Sequence, residues 1–381
     1  MLLKYGGQNF YCFKDDFEID LRLNKNCPQD ISQGKSYSNV MCIKGANAAG
    51  KTNALKAYSF LSEFLKNSFS NKPDDEIGIE SYFNNSKPIF LFCEFRIGEI
   101  DYRYELNVNR TEVLNETLFN LGRVNKVLFR REGSEIEYLD VEYEGLHTIP
   151  QIRKNASIIS TSNQYEVECT KDIYAFFKGV FSNVSSFGFV DLAGEGVHKF
   201  YYRLPEALDF VKNLLVKFDT GIFDIKIEKY TDSEGDETYY PIFLFEIAGE
   251  IKKLRLNHQS TGTIRLYHLL AYCFVVLDDI QDPSHANVFI ADELDVHLHS
   301  KILPEIITLF ESSEKAQLIY TCQNDQILDA MGKYRTTLVN KDDNESYSYR
   351  LDELPSDLLR NGRPIKPHYD NDSIGGVPKI G

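Results

Sequence analysis

One run of eight residues constrains this chain more than any other feature. Gly45-Ala46-Asn47-Ala48-Ala49-Gly50-Lys51-Thr52 fits the pattern G-x-x-x-x-G-K-[ST] at every position. Glycines let the backbone turn tightly, so that successive N–H groups point inward at phosphate oxygens. A helix that begins near Lys51 adds the positive end of its dipole. The flanks agree with this reading. Residues 40–43 form an apolar run that predicts a short buried strand. After the loop, Leu55, Tyr58, Leu61 and Leu65 share one face of a helix. Lys51 is expected to reach the β- and γ-phosphates of a nucleoside triphosphate, and the Thr52 hydroxyl to ligate Mg²⁺. Asn53 closes the phosphate-facing segment.

The rest of the composition narrows the field. The net charge is −15, with no long single-sign run behind it. Duplex affinity comes mainly from basic groups meeting phosphates, so this balance does not indicate nucleic acid as a partner, though it leaves room for a local basic patch. The seven cysteines are scattered and contain no C-x-x-C, which predicts reduced thiols in a cytoplasmic protein rather than a disulfide frame or a zinc site. The first residues do not have the form of a signal peptide. The longest apolar run, residues 269–277, is too short to span a bilayer, so no membrane insertion is expected.

Along the chain the pattern is α/β. Residues 1–23 predict a β-hairpin, with Phe17, Ile19 and Leu21 alternating with polar neighbours. Residues 88–140 are strand-rich, and Gly98-Glu99 marks a hairpin turn. Residues 170–217 read as helices broken by a glycine-containing loop near 191–196. Residues 222–248 read as a hairpin with an acidic turn, and 262–279 as a long apolar helix. A strand at 288–291, a helix at 300–312, a strand at 318–321 and a final helix complete the reading. It divides the chain into a first half of a nucleotide core (1–150), an inserted lid or partner-binding subdomain (151–249) and a second half of the core (250–381).

A second motif completes the chemistry. Val288-Phe289-Ile290-Ala291-Asp292-Glu293 is an apolar strand that ends in two acids. In a doubly wound sheet, ligands sit at the carboxyl ends of the strands. Asp292 is assigned to the metal and Glu293 to the general base that deprotonates an attacking water. The acid pair alone is a common strand ending; its pairing with the upstream phosphate loop gives it meaning.

With both motifs in hand, a family resemblance becomes specific. Ser260-Thr261-Gly262-Thr263-Ile264-Arg265 precedes the long apolar helix and the acid pair, where ABC-type ATPases carry their signature. Its form resembles the RecF/SMC-like, OLD-like ATPases rather than transporter subunits, whose Leu-Ser-Gly-Gly-Gln is absent. Leu294-Asp295-Val296-His297-Leu298-His299 resembles the D-loop stretch of that group, with Ser300 in place of the usual Pro. Tyr369 followed by Gly375-Gly376-Val377-Pro378 resembles the C-terminal element of a bacterial clade of AAA-family ATP-binding proteins associated with phage-defence and abortive-infection operons. The resemblance covers both halves of the core and the tail, and fades across 150–250.

The resemblance implies an ABC-type head that binds Mg-ATP and dimerises head to head. Ser260, Gly262 and Asp295 of one subunit would face the nucleotide of the other. The local alternative is that Ser260 caps the following helix. The resemblance also implies an effector protein, such as a nuclease on another chain, since no second catalytic centre is apparent here. One further departure from the family bears on the chemistry. Gln323 in Thr321-Cys322-Gln323-Asn324-Asp325 stands where relatives carry His. Glutamine hydrogen-bonds a γ-phosphate but cannot carry a proton, so slow hydrolysis is expected. His297 and His299 are assigned to the D-loop contact rather than to zinc. Arg130-Arg131 and Lys252-Lys253-x-Arg255 are read as solvated strand ends. Asn115 and Glu116 fall where a Q-loop might be sought, without being assigned to one. Two rival readings are a RecF-like DNA-clamping repair ATPase and a non-hydrolysing scaffold.

Overall fold

The computed structural model describes residues 1–185, 188–190, 194–218, 220–278 and 287–378. Its centre is a six-stranded sheet. Strand Val40–Lys44, which feeds the P-loop, lies between Thr336–Asp342 on one side and Ala316–Thr321 on the other; Asn287–Ala291 and Val180–Ser182 follow outward. These pairings are parallel, and only the outermost strand, Glu345–Arg350, runs antiparallel. Every residue of Val40–Lys44, Asn287–Ala291 and Ala316–Thr321 is buried. That is why residues 40–43, 288–291 and 318–320 read as continuously apolar rather than alternating, as parallel strands covered on both faces do.

Period-two geometry sends successive side chains to opposite faces. Met41, Ile43, Val288, Ile290 and Ile319 pack with Ala54, Leu55, Tyr58, Leu61 and Leu65 of the P-loop helix Lys51–Asn67. Val40, Cys42, Phe289, Ala291, Leu318 and Tyr320 pack on the other side. There they meet Leu266, Leu270 and Phe274 of helix Thr261–Leu277, and Leu303, Ile306 and Phe310 of helix Ile302–Glu311.

A second sheet of seven antiparallel strands, built from the first 139 residues, covers the far side of the P-loop helix. It opens with the expected hairpin, Leu2–Gln8 against Phe17–Asp20, and includes the expected pair Ile89–Ile97 and Ile100–Val108. One expectation is corrected here, and one open position is settled. Arg131 is not at a solvated strand end: its side chain is wholly buried, 2.7 Å from the equally buried Glu116 carboxylate. Glu116 also accepts the backbone N–H of Ile158, at 3.0 Å, so it is committed to this sheet and does not serve as a nucleotide-facing Q-loop. Arg130, on the opposite face, is exposed, as are Lys252, Lys253 and Arg255.

The interval 151–249 is distributed between two places. Helix Ile158–Gln164, helix Lys171–Lys178 and strand Val180–Ser182 join the core around the P-loop helix. Helices Glu195–Arg203 and Pro205–Lys217 pack instead with the three-stranded sheet Asp224–Thr231, Glu237–Ile247 and Glu250–Arg255, beside helix Thr261–Leu277. The first three residues of the loop expected at 191–196 lie outside the described residues. After helix Ile327–Met331 the chain does not go straight to a final helix. It returns to the sheet as the hairpin Thr336–Asp342 and Glu345–Arg350, and only then forms helix Lys366–Asp370.

Candidate functional site

The P-loop turns where the glycines allow it. Gly50 has φ +110°, and a Cβ there would sit 2.6 Å from Cys12 Sγ, so only glycine fits the approach of the N-terminal hairpin. Gly45 has φ +155° and presses on the Val339 carbonyl, leaving no room for a side chain. Ala48 takes the left-handed conformation, φ +60°, at the crown of the loop. Lys51 opens the helix, nearly buried, and its ammonium donates to the Gly45 and Ala46 carbonyls at 2.9 and 3.0 Å. Burial lowers its pKa, and the charge of Lys44 lowers it further, against the pull of Asp292 and Glu293. Asn53 Nδ2 lies 3.1 Å from Cys12 Sγ, so its side chain braces the loop against the hairpin.

Thr52 and Asp292 meet. Thr52 Oγ1 donates to Asp292 Oδ2 at 2.7 Å, and Thr321 Oγ1 donates to Asp292 Oδ1 at 2.6 Å. Asp292 is almost fully buried at the end of its strand, so both hydroxyls hold the carboxylate in one orientation. The neighbouring Glu293 is half-buried with φ +48°, a conformation that costs a non-glycine residue about 1 kcal/mol or more. Its N–H donates to Thr321 Oγ1 at 2.8 Å, which fixes the turn that separates the two acids. One residue that sequence reasoning missed is Asn183. It is buried just past strand Val180–Ser182, donates to the Asp292 carbonyl at 3.0 Å and accepts the Asp292 N–H at 2.7 Å.

Around this centre lie the remaining candidates. Asp295 accepts the N–H groups of Gln323, at 3.0 Å, and Asn324, at 2.8 Å, while the Gln323 side chain is exposed. Lys44, whose side chain is 3% exposed, reaches the same loop from the other side. Burial works against its charge, but Cys322 and the Asp325 carboxylate outweigh this and its pKa is raised. Ser260 caps helix Thr261–Leu277, its Oγ accepting the Thr263 N–H at 3.2 Å. Gly262 lies against the D-loop stretch: a Cβ there would meet the His297 carbonyl at 2.8 Å. His299 Nδ1 accepts the Lys301 N–H at 3.2 Å. Among the described residues no cluster of three or more His, Cys, Asp or Glu side chains is placed to hold a metal, and no helix is long and apolar enough to cross a membrane.

A sheet covered on both faces, with a P-loop at the end of its central strand and an acid pair at the end of the next strand but one, is the fold of an ABC-type P-loop NTPase head. Residues 40–329 match the family described as "AAA domain, putative AbiEii toxin, Type IV TA system", and the chain belongs to that family. Among solved structures it is similar to an SMC head whose crystal structure was determined bound to the C-winged helix domain of ScpA. The identity is 14% and the TM-score 0.51, over 92% of this chain and 98% of that one. The SMC head domain from Thermotoga maritima, at 15% identity and a TM-score of 0.45, is covered to the same extent. No curated protein matches the chain.

Proposed function

We propose that the protein binds Mg-ATP at residues 45–53, closes into a dimer around it, and hydrolyses it slowly to reset an effector. The observation that carries this reading is the contact between Thr52 and Asp292. Two hard oxygens held side by side, with no larger ligand cluster among the described residues, suit Mg²⁺, which prefers one or two protein oxygens and takes the rest from phosphate and water. Bound there, the ion would neutralise charge on the phosphates. Gly45, Ala46, Asn47, Ala48, Ala49 and Gly50 supply the backbone N–H cradle, and Lys51 the point charge that moves from the loop's own carbonyls to the phosphates. Glu293, presented beside Asp292 by a strained turn, is the group that takes a proton from the attacking water. Gln323 donates a hydrogen bond at the γ-phosphate, and its inability to shuttle a proton accounts for slow turnover.

Ser260, Gly262 and Asp295 are the residues proposed to meet the partner subunit's nucleotide. A capped helix N-terminus with a glycine in its first turn allows close approach to phosphate. In this reading the sheet Asp224–Arg255 and its helices form the lid or partner-binding element. The family description names a putative AbiEii toxin and a type IV toxin–antitoxin system, which supports a two-component system; the anti-phage role and the effector on a separate chain are part of the proposal. A DNA-clamping role has one observation on its side, the exposed Lys252, Lys253 and Arg255. It predicts DNA binding that weakens steeply with salt.

The deciding experiment is nucleotide-dependent sizing with single-turnover hydrolysis. Glu293→Gln should hold an ATP-bound dimer and release no phosphate, and Lys51→Ala should bind no ATP. A wild-type protein that stays monomeric in Mg-ATP and hydrolyses none overturns the proposal; binding without hydrolysis points to a scaffold.

A further inference from the structure

The loop at 322–325 is gripped from two sides by opposite charges. From one side, Lys44 Nζ donates to the carbonyls of Cys322 and Gln323, at 3.2 and 3.1 Å, and to Asp325 Oδ1 at 2.7 Å. From the other, the Asp295 carboxylate accepts the N–H groups of Gln323 and Asn324. The peptide groups on both sides of Gln323 are thereby fixed, while its side chain stays exposed.

Lys44 is a costly residue for this place. It is the last residue of the central strand, whose other members are Val40, Met41, Cys42 and Ile43, and a buried ammonium is tolerated only where it is paired and hydrogen-bonded. An apolar side chain would suit the strand but leave the Cys322 and Gln323 carbonyls without this donor and Asp325 without its ion-pair partner. Lys44 is also the residue immediately before Gly45, so the P-loop and the 322–325 loop share one anchor. Asp295 ties that same loop to the D-loop stretch, whose His297 lies against Gly262.

We propose that Lys44 is a positioning residue: acting through the 322–325 backbone, it holds Gln323 in register with the P-loop. This rests on the reading of the site as an ATPase in which Gln323 serves the γ-phosphate. All the hydrogen bonds of the Lys44 side chain go to the 322–325 loop, so its loss should slow the chemical step without weakening binding.

The test pairs Lys44→Met and Lys44→Arg with Gln323→Ala, measuring the affinity of a fluorescent ATP analogue in Mg²⁺ and, separately, single-turnover hydrolysis. Lys44→Met should bind within about threefold of wild type and turn over about tenfold more slowly. Lys44→Arg, which keeps the charge and several donors, should recover most of the rate. The decisive readout is the double variant: if Lys44 works through Gln323, Lys44→Met adds no loss to Gln323→Ala. Multiplying losses, parallel loss of affinity and rate, wild-type speed in Lys44→Met or wild-type speed in Gln323→Ala each overturn the proposal. Should Lys44→Met not fold, Lys44→Gln, which keeps one donor, is read in the same assays. Wild type that hydrolyses no ATP sinks the ATPase reading together with this one, whereas full turnover in both wild type and Lys44→Met sinks this one alone.

Discussion

Thr52 Oγ1 lies 2.7 Å from Asp292 Oδ2, joining the first turn of the P-loop helix to the end of a strand 240 residues further on. The contact fixes two oxygens that face one point, which is what a small divalent ion needs. Thr52→Val keeps the shape and removes the hydroxyl, while Asp292 retains the Thr321 hydroxyl. ATP affinity in Mg²⁺ should fall at least about tenfold, the loss typical when a metal ligand or its support is removed. In EDTA the variant and wild type should bind alike. Equal affinity in Mg²⁺ would separate Thr52 from any metal role.

Asn183 holds both the N–H and the carbonyl of Asp292. Asn183→Ala strands two buried backbone groups, at about 1–3 kcal/mol each before relaxation. Thermal unfolding should shift down by several degrees, and turnover should drop more than nucleotide affinity, because the acid pair loses its fixed position. A variant with wild-type melting and wild-type rate would show that the backbone finds other partners.

What was legible in the sequence was contiguous. The P-loop and the acid pair are short runs whose spacing is set by one local turn each, and the structure places both at carboxyl ends of parallel strands, with Ala316–Thr321 between them. Asn183 carries no such signature: a lone asparagine 109 residues from its partner gains meaning only when its strand pairs with Val288–Ile290. Arg131 failed for a related reason, since its partner Glu116 sits across a strand pair and no local pattern distinguishes a paired arginine from a solvated one. The hairpin at 336–350 did leave a signal. Asp343 and Asn344 both have positive φ, as a type I′ turn requires, and Asp/Asn residues between two β-rich runs are the pattern to look for.

The Glu116–Arg131 pair predicts a stability result that separates pairing from burial. Both side chains are fully buried, and burial raises the Glu116 pKa against the pull of Arg131. Arg131→Met leaves a buried carboxylate without its partner and should cost about 3–5 kcal/mol in urea unfolding. Glu116→Leu combined with Arg131→Met should recover most of that loss, since an apolar pair of similar volume is often as stable. Equal losses in the single and double variants would place the loss in the backbone partners, the Gly133, Arg153 and Ala156 carbonyls that Arg131 holds and the Ile158 N–H that Glu116 holds.

His198 gives the contact between helices Glu195–Arg203 and Thr261–Leu277 a pH dependence. Its Nδ1 lies 3.3 Å from the Tyr267 hydroxyl, and its ring is 5.9 Å from that of His268. Burial first, and the neighbouring His268 second, push its pKa down from 6.5 to about 4. Above pH 6.5 the imidazole is neutral folded or unfolded and contributes nothing to the pH dependence. Between 6.5 and 4 the unfolded chain takes up a proton that the folded one refuses, so stability falls as pH falls; below 4 the effect levels off. His198→Gln removes the titration. The melting temperature of the variant should therefore gain on wild type as pH drops from 6.5 to 4, and a constant difference across that window would contradict the assignment.

Gln323 offers a prediction in the opposite direction, a gain. Its backbone is fixed by Asp295 and Lys44, so replacing the side chain changes the chemistry at its tip more than the path of the loop. Glutamine donates a hydrogen bond through an amide that stays neutral at every working pH, whereas histidine donates one, carries positive charge below its pKa and passes a proton. Charge developing on the transferred phosphoryl group in the transition state favours the histidine. Gln323→His should therefore raise single-turnover hydrolysis severalfold while leaving ATP affinity nearly unchanged, and the gain should grow toward lower pH as the imidazole becomes charged. Its dependence on Glu293 is a further check: in a Glu293→Gln background the histidine should restore nothing, because the water is then without a base. An unchanged rate in Gln323→His would place the limit on turnover elsewhere, in dimer closure or product release.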